Sequence, residues 1–178
     1  MMETINSSWS EEKIITYFFN YSYTWSEIKL ILYLLDFAQK QKIGYVLYQA
    51  NAMFPSFSFK EGREIGINLN WHNHSSEVPF TIGHEIGHIM SEYRDTKRLN
   101  YCRGVGTQIT EEMSADIYSL QLLYKYSSAQ EDNFYDPLNF IRAYGVPKRM
   151  INETYKLFAS EEGFFFKPKD SFDQFIIE

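Results

Sequence analysis

The chain has 178 residues, of which 44% are hydrophobic and 18% aromatic, and carries a net charge of −6. At this length about 70% of the unfolded surface can be buried, so one domain spanning 1–178 with its own core is expected, and the apolar content excludes a disordered chain. A pI near 5.3 and the lack of a dense Lys/Arg stripe argue against direct nucleic-acid binding.

The single cysteine, Cys102, has no partner for an intramolecular disulfide and stands in no cysteine-rich metal pattern. The first residues lack the basic start, apolar run and small-residue cleavage site of a signal peptide, which predicts a cytoplasmic location. The longest apolar stretch, 28–38, is interrupted by Lys29 and Asp36 and falls well short of the ~20 residues a membrane span needs. No membrane partner is expected.

In chain order, Ser8-Trp9-Ser10-Glu11 has the form of a capping box with Ser8 as the cap and predicts a helix to about Phe19. Thr24-Trp25-Ser26-Glu27 repeats the signal and opens a helix with Ile28, Ile31, Leu32 and Leu35 on one face. Leu30, Leu34 and Phe37 widen that face, so burial on more than one side is expected. Gly44 should stop this helix, and Tyr45-Val46-Leu47-Tyr48 reads as a first strand. The stretch from Phe54 to Phe59, with Pro55, reads as an irregular or edge segment, followed by a hairpin turn at Lys60-Glu61-Gly62-Arg63.

Ile65, Ile67, Leu69 and Trp71 then alternate with polar or small residues, predicting a strand over 65–71 that turns Asn68 and Asn70 away from the core. A polar loop, His72-Asn73-His74-Ser75-Ser76, leads to Pro79 in the first turn of a helix expected to reach about Glu92. Residues 94–106 read as a connector. Thr107 or Thr110 should cap the next helix, with a core stripe at Ile109, Met113, Ile117 and Leu120. Shorter helices are predicted after Asp136-Pro137 and Val146-Pro147, with Gly145 between them, and the apolar tail 163–177 is expected to fold back onto the domain.

Within the helix that Pro79 opens stands His84-Glu85-Ile86-Gly87-His88. Two imidazoles four residues apart share one helix face and can grip one metal ion, while Glu85 projects to the side, where it can act on a water. A catalytic zinc site keeps three protein ligands and one open position, so one ligand is missing from this helix. The next helix offers Glu111, Glu112 and Asp116. Glu112 and Asp116 lie four apart on one face, which favours Glu112 as the ligand and places Asp116 to accept the second ring N–H of a ligand histidine, His84 by preference. Glu111 points elsewhere and reads as a solvated acid. Gly83 and Gly87 would let another element approach the helix closely. His72 and His74 are candidates for binding an oxyanion or a substrate carbonyl.

These motifs carry a resemblance. Glu64 to Asn70, Pro79 to His88 and Glu112-Met113-Ser114-Ala115-Asp116 together resemble the ImmA/IrrE family of metallopeptidases over about 43–124, and Ala143-Tyr144-Gly145-Val146-Pro147 is similar to the family's later "G-V-S" helix start. The resemblance implies a zincin-like α+β fold: N-terminal helices, a small, mostly antiparallel sheet beside the metal helix, and C-terminal helices. It implies zinc held by His84, His88 and Glu112, the last through the family's E-x-x-A-[ND] helix. It also implies that a helix-turn-helix repressor of a mobile element or stress regulon is the substrate. The family pattern usually continues to a Met-Pro ending, whereas here the helix runs Tyr118 to Lys125 without one.

The expected function is therefore a zinc endopeptidase with a DNA-binding regulator as its protein substrate, held along the polar side of the 65–71 strand and past Asn68 and Asn70. The alternative is a non-catalytic antirepressor that grips the regulator in the same groove. Retention of Glu85 favours the enzyme, because binding alone needs only the groove. A different metal hydrolase is the third reading, which the motif alone leaves open.

Overall fold

The computed structural model describes residues 4–90, 106–130, 134 and 136–159, with 106–110 described by their backbone alone. Helix α1 (Glu11–Asn20) is capped by Ser10, whose hydroxyl accepts from the Lys13 amide at 3.4 Å. Ser8 is thus not the cap: its amide and hydroxyl both donate to Asn6 Oδ1, at 3.0 and 2.6 Å. Helix α2 (Trp25–Lys40) carries the complete capping box between Thr24 and Glu27, and Ile28, Leu30, Ile31, Leu34, Leu35 and Ala38 are buried. It ends before Gly44. Gln41 is the C-cap, Lys42 takes the left-handed turn at φ 58°, and Gly44 already belongs to the next strand.

Four strands, β1 (Ile5–Asn6), β2 (Gly44–Tyr48), β3 (Phe57–Phe59) and β4 (Glu64–Asn68), form one sheet in the order β1-β2-β4-β3. The outer pairings are antiparallel, but the central β2–β4 ladder, from Gly44↔Glu64 to Tyr48↔Asn68, is parallel. The sheet is therefore mixed rather than mostly antiparallel. The β3–β4 hairpin falls where the turn residues place it and leaves β3 at the edge. Strand β1 was not foreseen, because two residues are too few to show a period.

The expected strand over 65–71 is shorter, and its role changes. It ends at Asn68, whose side-chain oxygen accepts from the Asn70 amide at 3.2 Å and turns Leu69–Trp71 into a 3-10 turn. Strand β4 is central, paired on both sides, so it has no edge to offer a peptide. Nor does Asn68 face solvent. It is fully buried beneath the loop 50–56, accepting from the Ala50 amide at 3.0 Å and donating to the carbonyls of Asn51 and Phe54 at 3.0 and 2.8 Å. Asn70 ties down the same loop through the Ala50 carbonyl at 3.0 Å. Phe57 likewise lies over Gly66, where an added Cβ would strike its ring. The alternation is real, but both faces of β4 are covered.

Ile5, Tyr45, Leu47, Ile65 and Ile67 carry the inner face of the sheet into the core, where α2 and α3 (Val78–Met90) pack. Helix α4 (Gly106–Ala129) lies along α3. Because α4 already runs from Gly106, Thr107 and Thr110 lie within it and do not cap it. Its core stripe also differs from expectation. Leu120 is buried as expected, but Met113 is 40% exposed and Ile117 only partly buried, while Ala115, Tyr118, Leu122 and Tyr126 are buried, since the side that meets α3 is the one bearing Ala115 and Ser119.

Asp136 caps α5 (Pro137–Ala143), and a 3-10 turn at Lys148–Met150 leads into α6 (Ile151–Ala159), matching the two expected C-terminal helices. The connector read over 94–106 lies outside the described residues except for Gly106, which already belongs to α4; Cys102, the end of α3 near Glu92, the Ile109 side chain and the tail 163–177 also lie outside them. Among the described residues no helix is long and apolar enough to cross a membrane.

Candidate metal centre

The site exists because two helices come unusually close. A Cβ on Gly83 would lie 2.5 Å from Ser119 Oγ, and one on Gly87 would lie 2.8 Å from the Ala115 carbonyl oxygen and 2.9 Å from its Cα. Gly83 and Gly87 on α3 thus meet Ala115 and Ser119 on α4, small residues four apart against small residues four apart. Ser119 adds a hydrogen bond to the Phe80 carbonyl at 2.6 Å. His84 and His88 each follow one of these glycines, while Glu112 and Asp116 each precede one of the facing small residues by three. The close seam sets the chemistry at its border.

There His84, His88 and Glu112 bring one donor atom each within 4.8 Å of one another. The two Nε2 atoms are 3.0 Å apart, and Glu112 places its oxygens 3.3 Å from His84 Nε2 and 3.5 Å from His88 Nε2. A tetrahedral ion with bonds near 2.0–2.1 Å separates its ligand atoms by roughly 3.3 Å, so the spacing fits a small tetrahedral metal ion. The chemistry of the donors agrees. His84 Nδ1 lies 2.8 Å from Asp116 Oδ1, and a carboxylate there selects the tautomer with the proton on Nδ1 and a lone pair on Nε2. That lone pair, a carboxylate and a second imidazole then face one spot, an arrangement suited to a cation.

Burial would lower the His84 pKa, but the hydrogen bond and charge of Asp116, with Glu85 and Glu112 adding theirs, raise it on balance. His88 moves the other way, lowered by burial and by its neighbour His84. Asp116 is buried, which alone would raise its pKa; the hydrogen bonds from Arg149 and His84 outweigh this and hold its carboxyl below the usual range. Glu85, only 5% exposed, is pushed up to about 7 by burial, with Glu112's charge also raising it and His84 and a hydrogen bond from Ser58 pulling it down. A carboxyl titrating near neutrality suits a general base, and a bound cation would draw it down again.

Every metal-directed residue named from the sequence is brought together, with Asp116 on His84 as expected. Glu111 stands apart, 3.7 Å from Lys60 Nζ across the site's border. His72 and His74 are not brought to the three donors. His72 is buried against Glu77, its Nδ1 3.8 Å from the carboxylate, and its Nε2 has no hydrogen-bond partner among the described residues; His74 merely precedes the 3-10 turn Ser75–Glu77. Asn68 and Asn70 brace the loop instead of facing substrate.

Two participants went unread in the sequence: Ser58 on β3, whose side chain helps hold the Glu85 pKa down, and Arg149, which hydrogen-bonds both oxygens of Asp116. Neither sits in a local pattern that would single it out. Compared with protein-family models, curated proteins and solved structures, the chain matches none of them.

Proposed function

We propose that the chain is a zinc metallopeptidase of the ImmA/IrrE type, zincin-like in fold, that cleaves a DNA-binding transcriptional regulator. The observation that carries this reading is the convergence of His84, His88 and Glu112 with the buried carboxyl of Glu85 beside them. Zinc held there supplies Lewis acidity toward a water and an amide carbonyl. Glu85, buried beside the three donors, would take the proton of the attacking water and return it to the leaving amine. Asp116 keeps the His84 ring in its binding orientation.

The substrate platform moves from β4 to β3. Phe57–Phe59 is an edge strand of the sheet that packs near α3, and its Ser58 side chain helps hold the Glu85 pKa down. A peptide added to that edge by main-chain pairing would run past the general base. The resemblance in motifs supports a helix-turn-helix regulator as the partner. The role of Glu85 distinguishes this reading from a binding-only antirepressor.

Glu85→Gln should keep zinc and the fold yet lose about 100-fold or more in cleavage of a helix-turn-helix regulator that the parent cleaves, followed by mass spectrometry. A Glu85→Gln protein that cleaves at the parent's rate would overturn the assignment. One that still relieves repression in cells without cleaving would favour the antirepressor.

A further inference from the structure

We infer that Arg149 is a positioning residue for the metal centre, acting through Asp116 on His84 and tying the C-terminal helices to the two that carry the ligands. The inference rests on the zinc reading above and goes beyond its ligand set. Arg149 Nε donates to Asp116 Oδ2 at 2.7 Å and Nη2 donates to Oδ1 at 2.8 Å, and the same Oδ1 is 2.8 Å from His84 Nδ1. The planar guanidinium thus meets the carboxylate as a two-pronged fork. Such a fork fixes the rotation of the carboxylate about its own axis, which a single hydrogen bond cannot do. The oxygen that orients His84 is thereby held in place from the far side.

Arg149 is itself held. Its guanidinium carbon stands 5.8 Å from the centre of the Phe80 ring on α3, within cation–π range. The next residue, Met150, is fully buried, and the turn before it is seated on the lead into α3. There Gly145 takes φ +59°, and a Cβ on it would collide with the Ser76 carbonyl, so the turn fits only with glycine. The segment 145–150 therefore delivers Arg149 to a carboxylate 33 residues away along the chain.

Zinc affinity of the full chain, measured by competition with a chromophoric chelator, tests the inference without reference to catalysis. Arg149→Ala should weaken zinc binding 10–100-fold, the range expected for loss of a group that orients a ligand. In an Asp116→Ala background the same substitution should cost nothing further, because the oxygens through which Arg149 reaches His84 are gone. Arg149 is 60% exposed, so the variants should fold; if Arg149→Ala does not, Arg149→Gln takes its place. Parent-like zinc affinity in a folded Arg149 variant, or losses that multiply in the double variant, would overturn the inference while leaving the zinc site intact. A parent chain that fails to bind zinc would overturn the site itself.

Discussion

A buried amide whose hydrogen-bonding capacity is fully used is costly to remove. Asn68→Ala would strip partners from the Ala50 amide and from the carbonyls of Asn51 and Phe54, and the expected loss is roughly 1–3 kcal/mol. Zinc content should stay at the parent level, since the polar partners of the three donors all lie on α3 and α4. Denaturant titration alongside metal analysis checks both halves; an unchanged midpoint would mean that the loop is not braced by this side chain. The same residue shows what a sequence conceals. A period of two says that Asn68 and Ile67 face opposite ways, yet it cannot say that a loop some 15 residues earlier folds over the polar side. His84 with His88 and Glu112 with Asp116 were legible because helical periodicity puts residues four apart together, and the need for a third ligand joined the two pairs. Arg149 was not, since only the tertiary fold brings it to Asp116.

At the scale of elements, the α3–α4 seam makes a prediction whose sign is informative. Helix propensity by itself would make Gly87→Ala stabilising by about 1 kcal/mol. The close contact predicts the reverse, because the new methyl would press on the Ala115 backbone rather than on a yielding side chain, and overpacking costs about 1–3 kcal/mol. Thermal unfolding should show a lower midpoint, with weaker zinc binding as Glu112 is pushed from the histidines. A raised midpoint would refute the contact. Caps and the hairpin were readable because they are written within a few residues, as at Thr24 and Glu27. The parallel β2–β4 ladder was not, since pairing across 20 residues leaves no local mark. The central place of β4, paired on both sides, follows from that unread topology and is why the proposed peptide is assigned to the β3 edge.

For the molecule as a whole, sheet, α3, α4 and the C-terminal turn converge on one small region. Strand β3 reaches Glu85 through Ser58, α3 and α4 supply the three donors, and Arg149 locks Asp116 behind them. That His84, His88 and Glu112 hold a single zinc ion is the claim on which everything else depends. Elemental analysis of the purified, dialysed chain and of its His88→Ala and Glu112→Ala variants tests it most directly. The parent should retain about one zinc per chain, as three protein ligands and an open position imply, and each variant should lose most of it. A parent that holds no zinc, or zinc content unchanged in both variants, would contradict it.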